Sequence, residues 1–177
     1  MKKTLIISGA GDIARSIDIH LSVISEAIST TKQSLDLSSE ESVGKFLDEF
    51  DHVVDNIVFC GAVNNLKEFS SISIEEIENA FKINFLSFIK IIHSLLKKNK
   101  IRENGSIVII SSIYSKFSRR NRFPYSVSKH ALDGISKSLA LEVSKNKIRV
   151  NTVSPGFINT KMTRNNLSDH QIERLKT

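Results

Sequence analysis

The chain has 177 residues, 40% of them hydrophobic, which fits one globular domain able to bury roughly two-thirds of its unfolded surface. Its apolar runs are too short to cross a bilayer, and the five-residue run after Lys2 and Lys3 is too short for a signal peptide. No membrane partner is therefore expected, and the cytoplasm is the default location. The net charge of +6 divides into −6 over residues 1–96 and +12 over residues 97–177, but the basic residues are scattered, without a nucleic-acid-binding motif. An anionic cofactor or substrate accounts for the asymmetry better than nucleic acid.

Thr4 to Ser8 reads as a short strand, followed at once by Gly9-Ala-Gly11-Asp12-Ile13-Ala14 and a helix over about Arg15 to Val23. A G-x-G-x-x-A run between strand and helix suits a pyrophosphate: the first glycine allows the tight turn and the second the anion's approach. The small Ala14 permits close helix–strand packing. A second strand is expected near Glu26 to Thr31, ending at Lys32. Ser34-Leu-Asp36-Leu37 follows, ahead of a run of Ser and Glu.

Asp55 to Val63 is the next buried strand, ending in the small residues Cys60-Gly61-Ala62. The lone Cys60 has no disulfide partner and is expected to be buried and inert. Ile74 to Lys98 is the clearest helix: Ile77, Phe81, Phe85, Phe88, Ile92 and Leu95 make a core face, and Ile83, Leu86 and Ile91 a second stripe. Asn84 lies inside it, where an exposed asparagine is the ordinary case.

Ser106 to Ser112 is a run of Ile and Val with no helical period, a buried parallel strand that delivers hydroxyls to its C-terminal edge. A loop with Lys116, Arg119, Arg120 and Arg122 and no acid follows, either a solvated charge run or the source of a clamp for a carboxylate or phosphate. Tyr125-Ser-Val-Ser-Lys129 opens an amphipathic helix with phenol and ammonium one turn apart on one face. A cation beside the phenol is expected to lower its pKa from about 10 toward neutrality, which suits proton transfer. Lys147 to Ser154 is the last strand, ending in Pro155-Gly156-Phe157-Ile158-Asn-Thr160. The five histidines have no metal-like spacing, with His93 and His130 expected on helix surfaces, and no metal site is expected.

Ser112, Tyr125 and Lys129, the glycine turn and the R-V-N-x-V-x-P-G-x-x-x-T run fall in the order that resembles the short-chain dehydrogenase/reductase family, over residues 4 to 163. The resemblance implies an α/β, doubly wound, Rossmann-like and mostly parallel sheet with helices on both faces, in a single NAD(P)-binding domain spanning residues 1–177. It also implies hydride transfer between NAD(P)H and a carbonyl/alcohol pair. Tyr125 would move the proton, Lys129 would lower its pKa and hold the nicotinamide ribose, Ser112 would bond the reacting oxygen, and Asn84 would hold a relay water. Ser8, Gly9, Gly11, Asp12, Ile13, Cys60, Gly61 and Ala62 would line the cofactor, Asp36 and Leu37 its adenine, and Pro155, Gly156, Ile158 and Thr160 its nicotinamide end.

By resemblance the segment from Ser34 to Val43 is the family's third strand and its following helix, and the compact spacing from Gly9 to Asp36 implies that the usual second crossover helix is missing or vestigial; Asp36 reads equally well as a helix N-terminal acid. Lys32, with no acid beside it, points to NADP over NAD, or is a plain loop lysine. The chain departs from the family pattern at Ser8, at Asp12 where a glycine is expected, and at Cys60, where the family's loop-bracing Asn is absent, so a looser or differently braced site is expected. The family's substrate-covering helix and last strand are not matched, so the chain is a fragment or a shortened member. By resemblance the 74–98 and Tyr/Lys helices form the interface of a homodimer or homotetramer, and the partner is a small-molecule substrate, possibly anionic. The competing functions are a nucleotide-sugar dehydratase or epimerase with tightly held NAD, and a non-catalytic cofactor-binding scaffold. A serine hydrolase is disfavoured, since no G-x-S-x-G accompanies Ser112.

Overall fold

Five runs rich in Ile and Val lie side by side in the structure, a computed structural model that describes residues 1–173. They are β1 (Lys2–Ile7), β2 (Ser25–Ser29), β3 (Val54–Phe59), β4 (Ile101–Ile110) and β5 (Arg149–Val153), all parallel, in the order β2-β1-β3-β4-β5. Parallel neighbours need crossovers, and the connecting segments supply helices. These are α1 (Asp12–Leu21), α2 (Glu40–Glu49), α3 (Ile74–Phe81), α4 (Ser87–Lys97) and α5 (Phe123–Glu142), with α6 (Lys161–Asn166) and α7 (Asp169–Glu173) after β5. The fold is the expected doubly wound α/β sheet.

One apolar cluster joins Leu5 and Ile7 of β1, Ile57 and Phe59 of β3 and Ile107 and Ile109 of β4 to Val43 of α2, Phe88, Ile92 and Leu95 of α4 and Leu132 of α5. Helix α1 lies outside that cluster and buries Ala14 instead, as its small side chain allows. Reversal of strand order at β1 puts helices on opposite faces, because each parallel crossover is right-handed.

Two expectations change. Ser34 to Leu37 forms no strand: Leu35 and Leu37 are buried, but they anchor a loop that runs from β2 directly into α2. The alternating Leu pattern is real, yet no neighbouring strand is there to pair with. No helix intervenes between β2 and this loop, in line with the missing crossover helix. The helix over 74–98 is also interrupted: Lys82 to Leu86 form a π turn between α3 and α4. The extra residue shifts the phase of the helix after it, and Ile91 joins the core, fully buried; Phe85 within the turn and Phe81 before it are only half-buried. The second apolar stripe therefore does not exist as read. No helix of the described residues is long and apolar enough to cross a membrane.

Candidate active site

The C-terminal ends of β1, β3, β4 and β5 converge on one edge, and almost every residue singled out in the sequence sits there. Ser8, just past β1, takes the left-handed conformation at φ 65°, and no glycine of the chain has positive φ. The tight turn is thus made by Ser8. Gly9 is required for another reason: a Cβ there would lie 2.9 Å from Ser29 Cβ, and its N–H donates to Thr30 O at 2.7 Å. Gly11 precedes α1 with no side-chain cap, leaving the first-turn amides of Asp12 and Ile13 without a side-chain acceptor. Such donors beside the β1/β3 switch point fit an anionic pyrophosphate. The Asp12 carboxylate turns toward α6, accepting from Lys161 N at 2.5 Å and lying 3.9 Å from Arg164 Nη2.

Lys32 is exposed and lies 3.8 Å from Asp36, whose carboxylate also accepts from the Ser38 amide and hydroxyl. These bonds, with a smaller pull from Lys32, hold Asp36 below the usual carboxylate range. Asp36 precedes Ser39, the cap of α2, so it is a loop acid and not a helix N-terminal one. Cys60 is half-buried, and burial pushes its thiol up to about 12, so it is an unreactive thiol. Gly61 packs flush on Leu37: a Cβ there would lie 2.4 Å from its Cδ1. Ala62 follows, half-buried.

The brace expected to be lost with the family's Asn comes from Asn84. Buried in the π turn, it accepts from Val63 N at 2.7 Å and donates to Val63 O and to Ser128 Oγ, both at 3.0 Å. Asn84→Ala would strip three partners at once and is expected to cost about 1–3 kcal/mol. A lower urea midpoint with unchanged slope is the expected result; an unchanged midpoint would dismiss the brace.

Ser112 ends β4's extension, 6% exposed, its Oγ accepting from Tyr114 N at 3.2 Å. Pro124 in the first turn of α5 starts the helix that carries Tyr125 and Lys129 inward, both buried. Lys129 Nζ donates to Ile110 O at 2.8 Å and lies 5.6 Å from the Tyr125 ring centre. Burial lowers the Lys129 ammonium to about 8. The lowered phenol expected from the Tyr–Lys spacing is not what this geometry gives. Burial raises the Tyr125 pKa, and the opposing pull comes from the Ser112 hydroxyl and from Arg122. The reason is geometric: Lys129 is tied to the strand carbonyl.

From the β5 side, Pro155 O accepts from Ile113 N at 3.0 Å, Gly156 lines the cavity before the phenol, Ile158 O accepts from Thr163 Oγ1, and Thr160 caps α6. That cavity, about 70 Å³, is also lined by Asn64, Tyr114, Arg122, Phe157 and Met162. Of these, Asn64, Tyr114 and Met162 had no signal in the sequence beyond their nearness to 60–62, 112 and 160. The basic loop splits three ways: Lys116 pairs with Asp133, Arg119 and Arg120 line an outer cleft, and Arg122 is buried.

Comparison with known proteins bears on this arrangement. The sequence model of the short chain dehydrogenase family matches residues 17–171. The chain belongs to the short-chain dehydrogenase family. Its similar proteins include the 3-oxoacyl-[acyl-carrier-protein] reductase FabG of Aquifex aeolicus, 34% identical over 132 residues that make up 73% of this chain and 53% of that protein. Carbonyl reductase family member 4 of Xenopus laevis is 32% identical over 154 residues, 85% of this chain and 65% of that one. A short chain dehydrogenase family protein of Francisella tularensis superposes with a TM-score of 0.86 at 25% identity, covering 98% of this chain and 77% of that one. The chain spans about half the length of the curated relatives it matches. Short-chain dehydrogenases are NAD(P)-dependent oxidoreductases, and the glycine turn of this one lies before the matched residues.

Proposed function

We propose that the chain carries a reversible hydride transfer between NAD(P)H and a carbonyl/alcohol pair. The observation that carries this reading is the meeting, on one sheet edge, of the uncapped α1 turn after β1 with Ser112, Tyr125 and Lys129 after β4. When bound, the nicotinamide supplies or accepts the hydride. Gly11, Asp12 and Ile13 offer backbone donors to its pyrophosphate, with Gly61, Ala62, Pro155, Gly156, Ile158 and Thr160 along the same edge. Ser112 Oγ bonds the reacting oxygen, and Tyr125 gives up or takes its proton. The desolvated Lys129, held at Ile110 O with its pKa lowered to about 8, is the neighbouring ammonium of the proton-transfer site. Asn84 holds the 60–64 loop against α5.

NADP is the proposed preference, supported by the exposed Lys32 three residues past β2, whose neighbouring acid Asp36 is engaged by the Ser38 amide and hydroxyl. Asp36 and Leu37 close that end of the site. A second copy of the chain is the proposed partner, covering the apolar groove of about 560 Å³ between α4 and α5, where Ile89, Leu96, Ile135 and Leu139 are half-buried.

Titration of the purified chain with NADPH and NADH, followed by nicotinamide fluorescence, tests the reading. Saturable binding, tighter for NADPH, is the expected result. No binding of either cofactor would overturn the redox reading, and tighter NADH would overturn the role given to Lys32.

A further inference from the structure

Arg122 is the cap residue of α5, and its side chain is 4% exposed. Among the described residues no carboxylate lies within 4.0 Å of its guanidinium, and none of its side-chain N–H groups donates a hydrogen bond. What it does meet is the face of the Tyr114 ring, 4.9 Å from its centre. Arg119 adds a like charge from the same loop, and burial pulls the guanidinium's pKa down. Stacking on one aromatic leaves its planar donors without a protein acceptor, and since none of its nitrogens is fully enclosed, they open onto space that an anion can reach.

The cavity that Arg122 faces is the one lined by Ser112 and Tyr125. A second unmet polar atom borders it: Asn64 Oδ1, buried without a hydrogen-bond partner. Two unsatisfied groups beside a proton-transfer pair describe a site completed by its ligand. The cavity's volume, about 70 Å³, holds only a few non-hydrogen atoms, and the rest of its wall mixes apolar Phe157, Met162 and Leu167 with polar Thr163 and Asn166.

We propose that Arg122 binds the carboxylate of the substrate, and that the substrate class is a short 2-oxo to 4-oxo acid or the matching hydroxy acid. This rests on the redox reading above. A carboxylate takes two parallel N–H bonds from a guanidinium, which fixes the acid's orientation and sets its carbonyl one to three carbons away, toward Ser112 and Tyr125. Arg119 and Arg120 are not part of the clamp, since they line the outer cleft with Lys67 and Phe69.

The test is equilibrium binding, read by calorimetry with NADPH or NADH present and again without, for pyruvate, 2-oxobutyrate, acetoacetate and levulinate, each against its methyl ester. At least one acid is expected to bind tenfold or more tighter than its ester. Arg122→Met, which keeps the bulk and removes the charge, is expected to abolish that preference, and Arg122→Lys to keep part of it. A wild-type chain that prefers no acid over its ester, or a preference unchanged in Arg122→Met, overturns the proposal. If Arg122→Met does not fold, the wild-type comparison and Arg122→Lys decide. Turnover is scored separately. Arg122-dependent acid binding without hydride transfer would leave the clamp standing and remove the redox reading, whereas turnover of neutral ketones with no acid preference would do the reverse.

Discussion

Tyr125→Phe is expected to lower kcat by about 10²–10⁴-fold on any carbonyl compound the wild type reduces, the range that a positioned general acid contributes. Only the phenolic oxygen is removed. The ring keeps its edge contact with Tyr114, whose centre is 6.3 Å away, and α5 keeps its first turn. Fold stability should therefore stay within about 1 kcal/mol, since the lost hydroxyl faced a single side-chain partner. Cofactor affinity, read by nicotinamide fluorescence, should be unchanged, because the substitution leaves the backbone donors of the α1 turn untouched. Turnover retained at the wild-type level would remove Tyr125 from the mechanism. Because burial holds the phenol above its ordinary pKa, the resting side chain is protonated across the neutral range. In that state the side chain can give a proton to a bound carbonyl oxygen.

Lys129→Met should separate stability from activity more sharply. The wild-type ammonium is fully buried, and its pKa falls from 10.5 in an unfolded chain to about 8 in the fold. That difference amounts to about 3 kcal/mol of destabilisation wherever the lysine is charged in both states. Losing the bond to Ile110 O offsets about 1 kcal/mol of the relief, leaving a net gain of about 2 kcal/mol for the variant at pH 7. For a chain of this size the melting temperature should rise by about 4–8 °C. The sign of the pH dependence follows from the lowered folded pKa. The unfolded chain binds the extra proton between about 8 and 10.5, so wild-type stability rises relative to the variant through that window. The gap in melting temperature is therefore full below pH 8, shrinks through the window, and above pH 10.5 reverses by the roughly 1 kcal/mol of the lost bond. Hydride transfer should be lost throughout. A variant no more stable than wild type at pH 7 would mean that the ammonium is not desolvated as described.

The central strands could be read in advance because β1, β3 and the second half of β4 each end in a short Leu/Ile/Val/Phe run that the sheet buries, whereas the edge strands β2 and β5 carry polar residues and were placed mainly by what surrounds them. Tyr125 and Lys129 were legible for a related reason: helical spacing alone puts them on one face. The misreadings have particular causes. Leu35 and Leu37 alternate like a strand and are buried like one, but pairing depends on a neighbour that only the tertiary arrangement supplies. The π turn at Asn84 leaves no local mark in K-I-N-F-L, since one extra backbone residue changes no side chain. Arg122 is one cation among four in the loop. Only the three-dimensional path, with Lys116 drawn to Asp133 and Arg119 and Arg120 turned outward, distinguishes it. The left-handed backbone of Ser8 was hidden by its glycine neighbours, which looked like the better carriers of that conformation.

The bond from Lys161 N to Asp12 joins segments 149 residues apart in sequence, and it makes the two ends of the site thermodynamic partners. While α6 holds the carboxylate, the entrance of α1 presents bare amide protons with little negative charge in front of them. If α6 swings away, the carboxylate is released within reach of those same protons and competes as an internal anion for the place a phosphate would take. Linkage is reciprocal, so an anion seated on α1 must in turn favour the docked form of α6 by the same factor. The docked α6 also lends Met162, Thr163 and Asn166 to the cavity that Tyr125 lines, so an anion that favoured docking would favour that wall as well.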